Sequence, residues 1–162
     1  MIEKRLEESI ILHLIALSDA LKRRRDQISQ ELGITTQQWL ILLYLAKDPN
    51  LPFFEQEQHD KDMLAAEITR ALDVSRPNVT NLISTLLEKG LVLQTEDKDD
   101  RRRKRLTLSP EGTRLLESLQ LPRKTTNQQL FASLSEEERF TFLALIDKCL
   151  AAVGAFRNEL PG

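Results

Sequence analysis

Residues 63–112 read MLAAEITRALDVSRPNVTNLISTLLEKGLVLQTEDKDDRRRKRLTLSPEG, and the change of hydrophobic period within them decides the fold. Leu64, Ile68 and Leu72 recur every four residues and predict a short helix. Asp73 and Val74 form a tight connection. Ser75 then stands as an N-cap, with Pro77 in the first turn where a missing N–H costs nothing. Val79, Leu82, Ile83, Leu86 and Leu87 line one face of the next helix, and Gly90 closes it in the left-handed conformation. Beyond Gly90 the period drops to two. Leu91 and Leu93 alternate with Val92 and Gln94, and Leu106 and Leu108 alternate with Arg105 and Thr107. Glu96 to Lys104 is a polar tip between them, which predicts a two-stranded hairpin. Helix, tight turn, helix and hairpin in that order make a winged helix-turn-helix.

With Val79, Leu82, Ile83 and Leu86 turned inward, the second of these helices presents Arg76, Pro77, Asn78, Thr80, Asn81 and Ser84 outward, with Ser75 at its start. Such short polar and basic side chains approach base edges and phosphates without obstruction, and the helix N-terminus adds N–H groups and a positive dipole end. A merely solvated helix face more often carries Glu and Lys. Segment 98–105 holds Lys98, Arg101, Arg102, Arg103, Lys104 and Arg105 against Asp99 and Asp100, a net +4 on a chain whose formal charge is −2. Segment 55–62 is the opposite, with Glu55, Glu57, Asp60 and Asp62 against Lys61. Charge is segregated along the chain, which a uniform composition hides.

The flanks are helical. Leu6, Ile10, Leu14, Leu17, Leu21, Ile28 and Leu32 keep helix spacing until Gly33, too long a stripe for the core of one small domain, so part of it is expected to meet another chain. Thr35 with Gln38 forms a capping box, and Trp39 to Ala46 is apolar on every side, which predicts a central buried helix. Residues 49–62 lack a period and read as a loop, with Phe53 and Phe54 as its anchor. Ser109 and Pro110 open a further helix faced by Leu115, Leu116 and Leu119, which Pro122 is expected to kink or end. Ser135 with Glu138 opens the last helix, striped by Phe140, Leu143, Ile146, Leu150 and Val153.

At this point the chain resembles the multiple-antibiotic-resistance regulator (MarR) family of bacterial transcription factors. The residues that carry the resemblance are Val74-Ser75-Arg76-Pro77-Asn78-Val79-Thr80 and Leu86-Leu87-Glu88-Lys89-Gly90-Leu91-Val92. With them go Asp100-Arg101-Arg102, Leu106-Thr107-Leu108-Ser109-Pro110-Glu111-Gly112, and Thr35, Gln38 and Trp39. The resemblance implies a mostly α fold with a small β-hairpin wing, in one domain over 1–162. Residues 1–34 and 113–162 would dimerise, and 35–112 would bind DNA. It makes Arg102 the wing arginine of the minor groove, paired and oriented by Asp100, with Arg101, Arg103, Lys104 and Arg105 toward phosphates. An arginine at a hairpin tip suits the concentrated negative potential of a narrow groove. The partners it implies are a double-stranded, pseudo-palindromic operator, a second copy of the chain, and a small aromatic or anionic effector. That effector would bind near His13, Leu17, Trp39 and Leu43. The 49–62 loop, Asp73 in the turn and Pro122 depart from the family pattern.

Other classes are disfavoured by composition. One Cys excludes an internal disulfide framework and suits the reducing cytoplasm, and two His leave little for metal chemistry. No apolar run approaches the ~18 residues of a membrane span, and Glu3 to Glu8 breaks a signal-peptide pattern. No phosphate-cradling glycine loop, nucleophile elbow or metal-ligand spacing is present, so no catalytic residue, metal or cofactor is expected. Cys149 reads as a small buried hydrophobe, Trp39 as core, and Lys22-Arg23-Arg24-Arg25 as a solvated face or intersubunit salt bridges. The rival function is a winged-helix module that binds protein without reading DNA sequence.

Overall fold

Thr35 opens the central helix as its residues dictate. Its hydroxyl accepts the Gln38 N–H at 3.1 Å, and Gln38 Oε1 accepts the Thr35 N–H at 3.0 Å. The body of the resulting α2 (Thr36–Leu45) is apolar all round from Trp39 on, and Ile41 and Leu42 are fully enclosed. The computed structural model describes residues 5–52, 63–72, 75–98 and 100–159. Around α2 the chain runs α1 (Leu6–Glu31), β1 (Met63–Leu64), α3 (Ala65–Leu72), α4 (Arg76–Glu88), β2 (Val92–Glu96), β3 (Lys104–Leu108), α5 (Pro110–Leu130) and α6 (Glu136–Glu159). The anchor Phe53–Phe54, His59, the acidic stretch to Asp62, the Asp73–Val74 connection and the side chain of Ile28 lie outside the described residues.

One core joins α2, α3, α4 and the sheet: Ile34, Ile41, Leu42, Met63, Ile68, Val79, Leu82, Ile83, Leu86, Leu91, Val92 and Leu106. Gly90 stands at φ 67°, the left-handed position that ends α4 and turns the chain into β2. Gly112 is required for a different reason. A Cβ there would sit 2.1 Å from the Leu91 carbonyl oxygen, so only glycine lets α5 start directly against the strand. Ser109 caps that start, accepting the Gly112 N–H at 2.9 Å and donating to the Gly90 carbonyl at 2.6 Å.

Four local expectations are corrected. The wing is a three-stranded sheet of order β1-β3-β2, not a lone hairpin: Met63 pairs with Leu106 and Leu64 with Arg105. Leu64 therefore belongs to a strand, and its N–H goes to Glu67 Oε2 at 2.6 Å as the chain enters α3. In β2 the buried residue is Val92 while Leu93 is half-exposed, because Leu91 precedes the strand and bonds through its N–H to the Leu86 carbonyl. Finally, Pro122 does not end α5, which continues to Leu130. Pro122 is solvent-exposed, so the helix loses one backbone bond without burying the freed carbonyl.

The terminal helices are long and poorly covered. No described side chain of α1 or α6 is buried. The Phe131 and Phe142 rings, 6.4 Å apart, join the end of α5 to α6. Cys149 is exposed on α6, not buried as expected.

Candidate nucleic-acid interface

The outer face of α4 carries Arg76, Pro77, Asn78, Thr80, Asn81 and Ser84, all exposed, with exposed Ser75 as N-cap. Ser75 has the extended backbone of a cap, φ −62° and ψ 147°, yet makes no side-chain capping bond. The first turn of α4 thus keeps donor capacity at its positive end. Thr80 is exposed and donates its hydroxyl to the Arg76 carbonyl at 2.9 Å. Ser84 is engaged by Glu88 at 3.3 Å, so the carboxylate marks the far end of the polar face.

The wing tip is folded by two aspartates. Asp97 is buried and accepts the Asp100 N–H at 2.9 Å, and its carboxylate forms an ion pair with Arg105. Asp100 Oδ1 accepts the Arg102 N–H at 3.0 Å, while its Oδ2 lies 3.5 Å from Arg103. Asp97 N–H to Arg103 O at 3.0 Å and Arg103 N–H to Asp100 O at 2.8 Å close the turn. Lys104 reaches Glu96 at 2.9 Å across the strands. Among the described residues no carboxylate engages the guanidinium of Arg101 or Arg102, and both side chains are exposed at the tip. The basic run is therefore divided. Arg103, Lys104 and Arg105 have protein partners, while Arg101 and Arg102 project. Arg105 was expected at phosphates, but it is largely covered and serves to anchor Asp97. Asp97 was missed in the sequence, although an aspartate three residues before Asp100 at a strand end is a turn signal.

A cavity of about 400 Å³ lies between α1, α2 and α5. Of the four residues expected near an effector, Trp39 and Leu43 line it, while His13 and Leu17 are not among its lining residues. Arg24 and Arg25 of the basic α1 run line it, as do Asp48 and Arg123. Lys47, at φ 56°, turns the chain after α2 and brings Asp48 back toward α5. Asp48 Oδ2 accepts from Arg123 at 2.9 Å, and Arg123 lies 5.4 Å from the Trp39 ring centroid. Asn50 donates twice to Asp48 Oδ1, at 2.9 and 2.7 Å. Burial alone pushes the Asp48 carboxyl up, but the Asn50 bonds and Arg123 outweigh it and hold it below the usual carboxylate range.

Residues 32–103 match the MarR family. The homoprotocatechuate degradative operon repressor of Escherichia coli is 24% identical, over 97% of this chain and 98% of its own length. The transcriptional regulator FarR of Neisseria gonorrhoeae is 30% identical over 68% of each chain. The chain belongs to the MarR family. MepR of S. aureus, solved with DNA, is 29% identical over 90% of this chain and 95% of that one, with a TM-score of 0.69. This MarR family member is thus a winged-helix, DNA-binding transcription regulator, and its relatives are named for regulation, not catalysis. Among the described residues no helix is long and apolar enough to cross a membrane.

Proposed function

We propose that the chain represses transcription in the cytoplasm as a homodimer on a pseudo-palindromic operator. Residues 1–34 and 113–162 hold the two copies together, and 35–112 of each copy reads one half-site, the two about one turn (~34–36 Å) apart. Ser75, Arg76, Pro77, Asn78, Thr80, Asn81 and Ser84 face the major groove. Arg102 enters the minor groove from a tip that Asp100 orients, with Arg101, Arg103 and Lys104 toward the backbone. The observation that carries this reading is the pairing of a bulk-free polar α4 face with a prefolded wing whose two outermost arginines have no carboxylate partner among the described residues. The exposed apolar stripes of α1 and α6 support the dimer.

A small effector occupies the cavity between α1, α2 and α5. It acts only through its differential affinity for DNA-competent and incompetent states, and moving 1:99 to 99:1 takes ~5.5 kcal/mol of such bias. Selection of bound sites from random duplexes at fixed salt tests the operator reading. An enriched inverted repeat is expected; no enrichment from folded dimer would transfer the surface to a protein partner. On the selected site, Arg102→Ala is expected to cost about 1–3 kcal/mol and to lower the salt slope by about one, leaving the dimer intact.

A further inference from the structure

Two helix ends meet at the corner between α1 and α2, and neither carries its own charge for it. The last turn of α1 holds no basic residue and finishes on Glu31, although its unpaired carbonyls make it the negative end of the helix. The cation comes from α4, where Nζ of Lys89 donates to the Gly33 carbonyl just beyond α1. Lys89 is also the C-cap of α4, so one ammonium serves the negative ends of two helices. The first turn of α2 likewise lacks an acidic residue. Asp26 of α1 supplies it, its Oδ1 accepting the Thr36 hydroxyl at 2.6 Å. Both bonds span the turn at Leu32 and Gly33, and each borrows its charge from a neighbouring helix.

The corner joins two parts with different tasks. Lys89 stands between the end of α4 and the start of β2, at the junction of the two DNA-reading elements. From the same corner α1 runs back over 26 residues, about 39 Å, to the exposed stripe of Leu6, Ile10 and Leu14. On an arm of that length a tilt of about 5° moves the head by about 3.4 Å, the rise of one base pair. We infer that Lys89, with the Asp26–Thr36 pair, is a positioning device for operator binding. The two bonds lock α1 to the reading head and so fix the distance between the two α4 helices of the dimer. Lys89 then acts on DNA through the placement of α4, without touching a phosphate. This inference rests on the homodimer reading.

Cys149 is the only cysteine of the chain, so Asn81→Cys in a Cys149→Ser background puts one spin label on the exposed face of each α4. Pulsed electron–electron resonance then reads the distance between the two heads without DNA. The labelled parent is expected to give one narrow distance. Lys89→Met and Thr36→Val, each shown to be folded by its melting curve, are expected to broaden it by about 3–4 Å, the shift that a few degrees at the corner produces. Lys89→Arg keeps the charge and the donor and should restore the parent width. On the selected operator, unlabelled Lys89→Met is expected to bind about tenfold more weakly with an unchanged salt slope. A distance as narrow in Lys89→Met and Thr36→Val as in the parent overturns the inference and leaves the dimer standing. A salt slope lowered by about one in Lys89→Met, with no broadening, makes Lys89 a phosphate contact and overturns it equally. No distance between labels in the parent removes the dimer reading, and the inference with it.

Discussion

Ile41, Leu42, Ile68 and Leu86 are sealed from solvent in the winged-helix body, whereas Leu6, Leu12, Leu143 and Val153 on the terminal helices each expose more than half of their surface. Both regions carry helix-spaced apolar stripes, so hydrophobicity does not separate them. Geometry does. In the body, α2 packs against α3, α4 and the sheet, and their inward apolar faces meet in one core within the chain. The terminal helices extend past that core, and among the described residues much of their stripes, Leu6, Ile10, Leu12, Leu143 and Val153 among them, stays exposed. At about 25 cal/mol per Å² of apolar area removed from water, a set of stripes that long is a strong drive toward a second copy. One region is finished by folding; in the proposed dimer the other would be finished by association.

The contrast breaks most directly at the terminal stripes. Leu12→Asp combined with Leu145→Asp is expected to yield a folded monomer in sedimentation equilibrium. Operator affinity should fall by about 10²–10⁴-fold, because the two heads no longer bind as one unit. A dimer that survives both charges would place the interface elsewhere. The mirror experiment truncates the body: Leu86→Ala is expected to cost about 2–5 kcal/mol in urea unfolding, since its side chain is wholly enclosed. The assembly state should not change at concentrations where the variant is folded. At the seam between the regions, Gly112→Ala forces a methyl against the Leu91 carbonyl and is expected to cost about 1–3 kcal/mol. The melting temperature should drop while the isolated wing geometry, read by amide exchange of β2 and β3, persists.

The smallest effect is at the Asp48–Arg123 tie, the ion pair that joins residues 75 apart across α2 and α5. Because the folded state holds the Asp48 carboxyl below its ordinary range, its stabilisation is present above that range and is lost as pH falls through the lowered value. Asp48→Asn should therefore cost about 1 kcal/mol near neutrality and nothing once the wild-type carboxyl is protonated. Denaturant midpoints that differ equally at neutral and strongly acid pH would contradict the assigned cause.

Much of the body was legible because its signals are short. The Thr35–Gln38 and Ser135–Glu138 boxes, the Ser109 cap and the Gly90 stop each act within four residues, and each stands where the residue order puts it. The exposed α4 face was legible for the same reason, since burying Val79, Leu82, Ile83 and Leu86 leaves no other residues to face out. What failed involved choice of partner. Leu93 and Val92 are both apolar, and the phase was decided by how Leu91 docks under Gly112. Arg105 looks like its neighbours in a basic run, but the pairing of β3 with both β1 and β2 places it beside Asp97. Pro122 looked like a breaker, yet an exposed face tolerates the lost bond.

Residue order alone thus settles the helices, their caps, the wing and the polar reading face, because propensity, capping and hydrophobic period are local and add up along the chain. Packing alone settles the third strand, the split of the basic run into anchored and projecting arginines, and the cavity whose charges come from α1, the end of α2 and α5. Those features join groups tens of residues apart, and many pairings of like residues are available to an unfolded chain. Only the shared core fixes which of them meet.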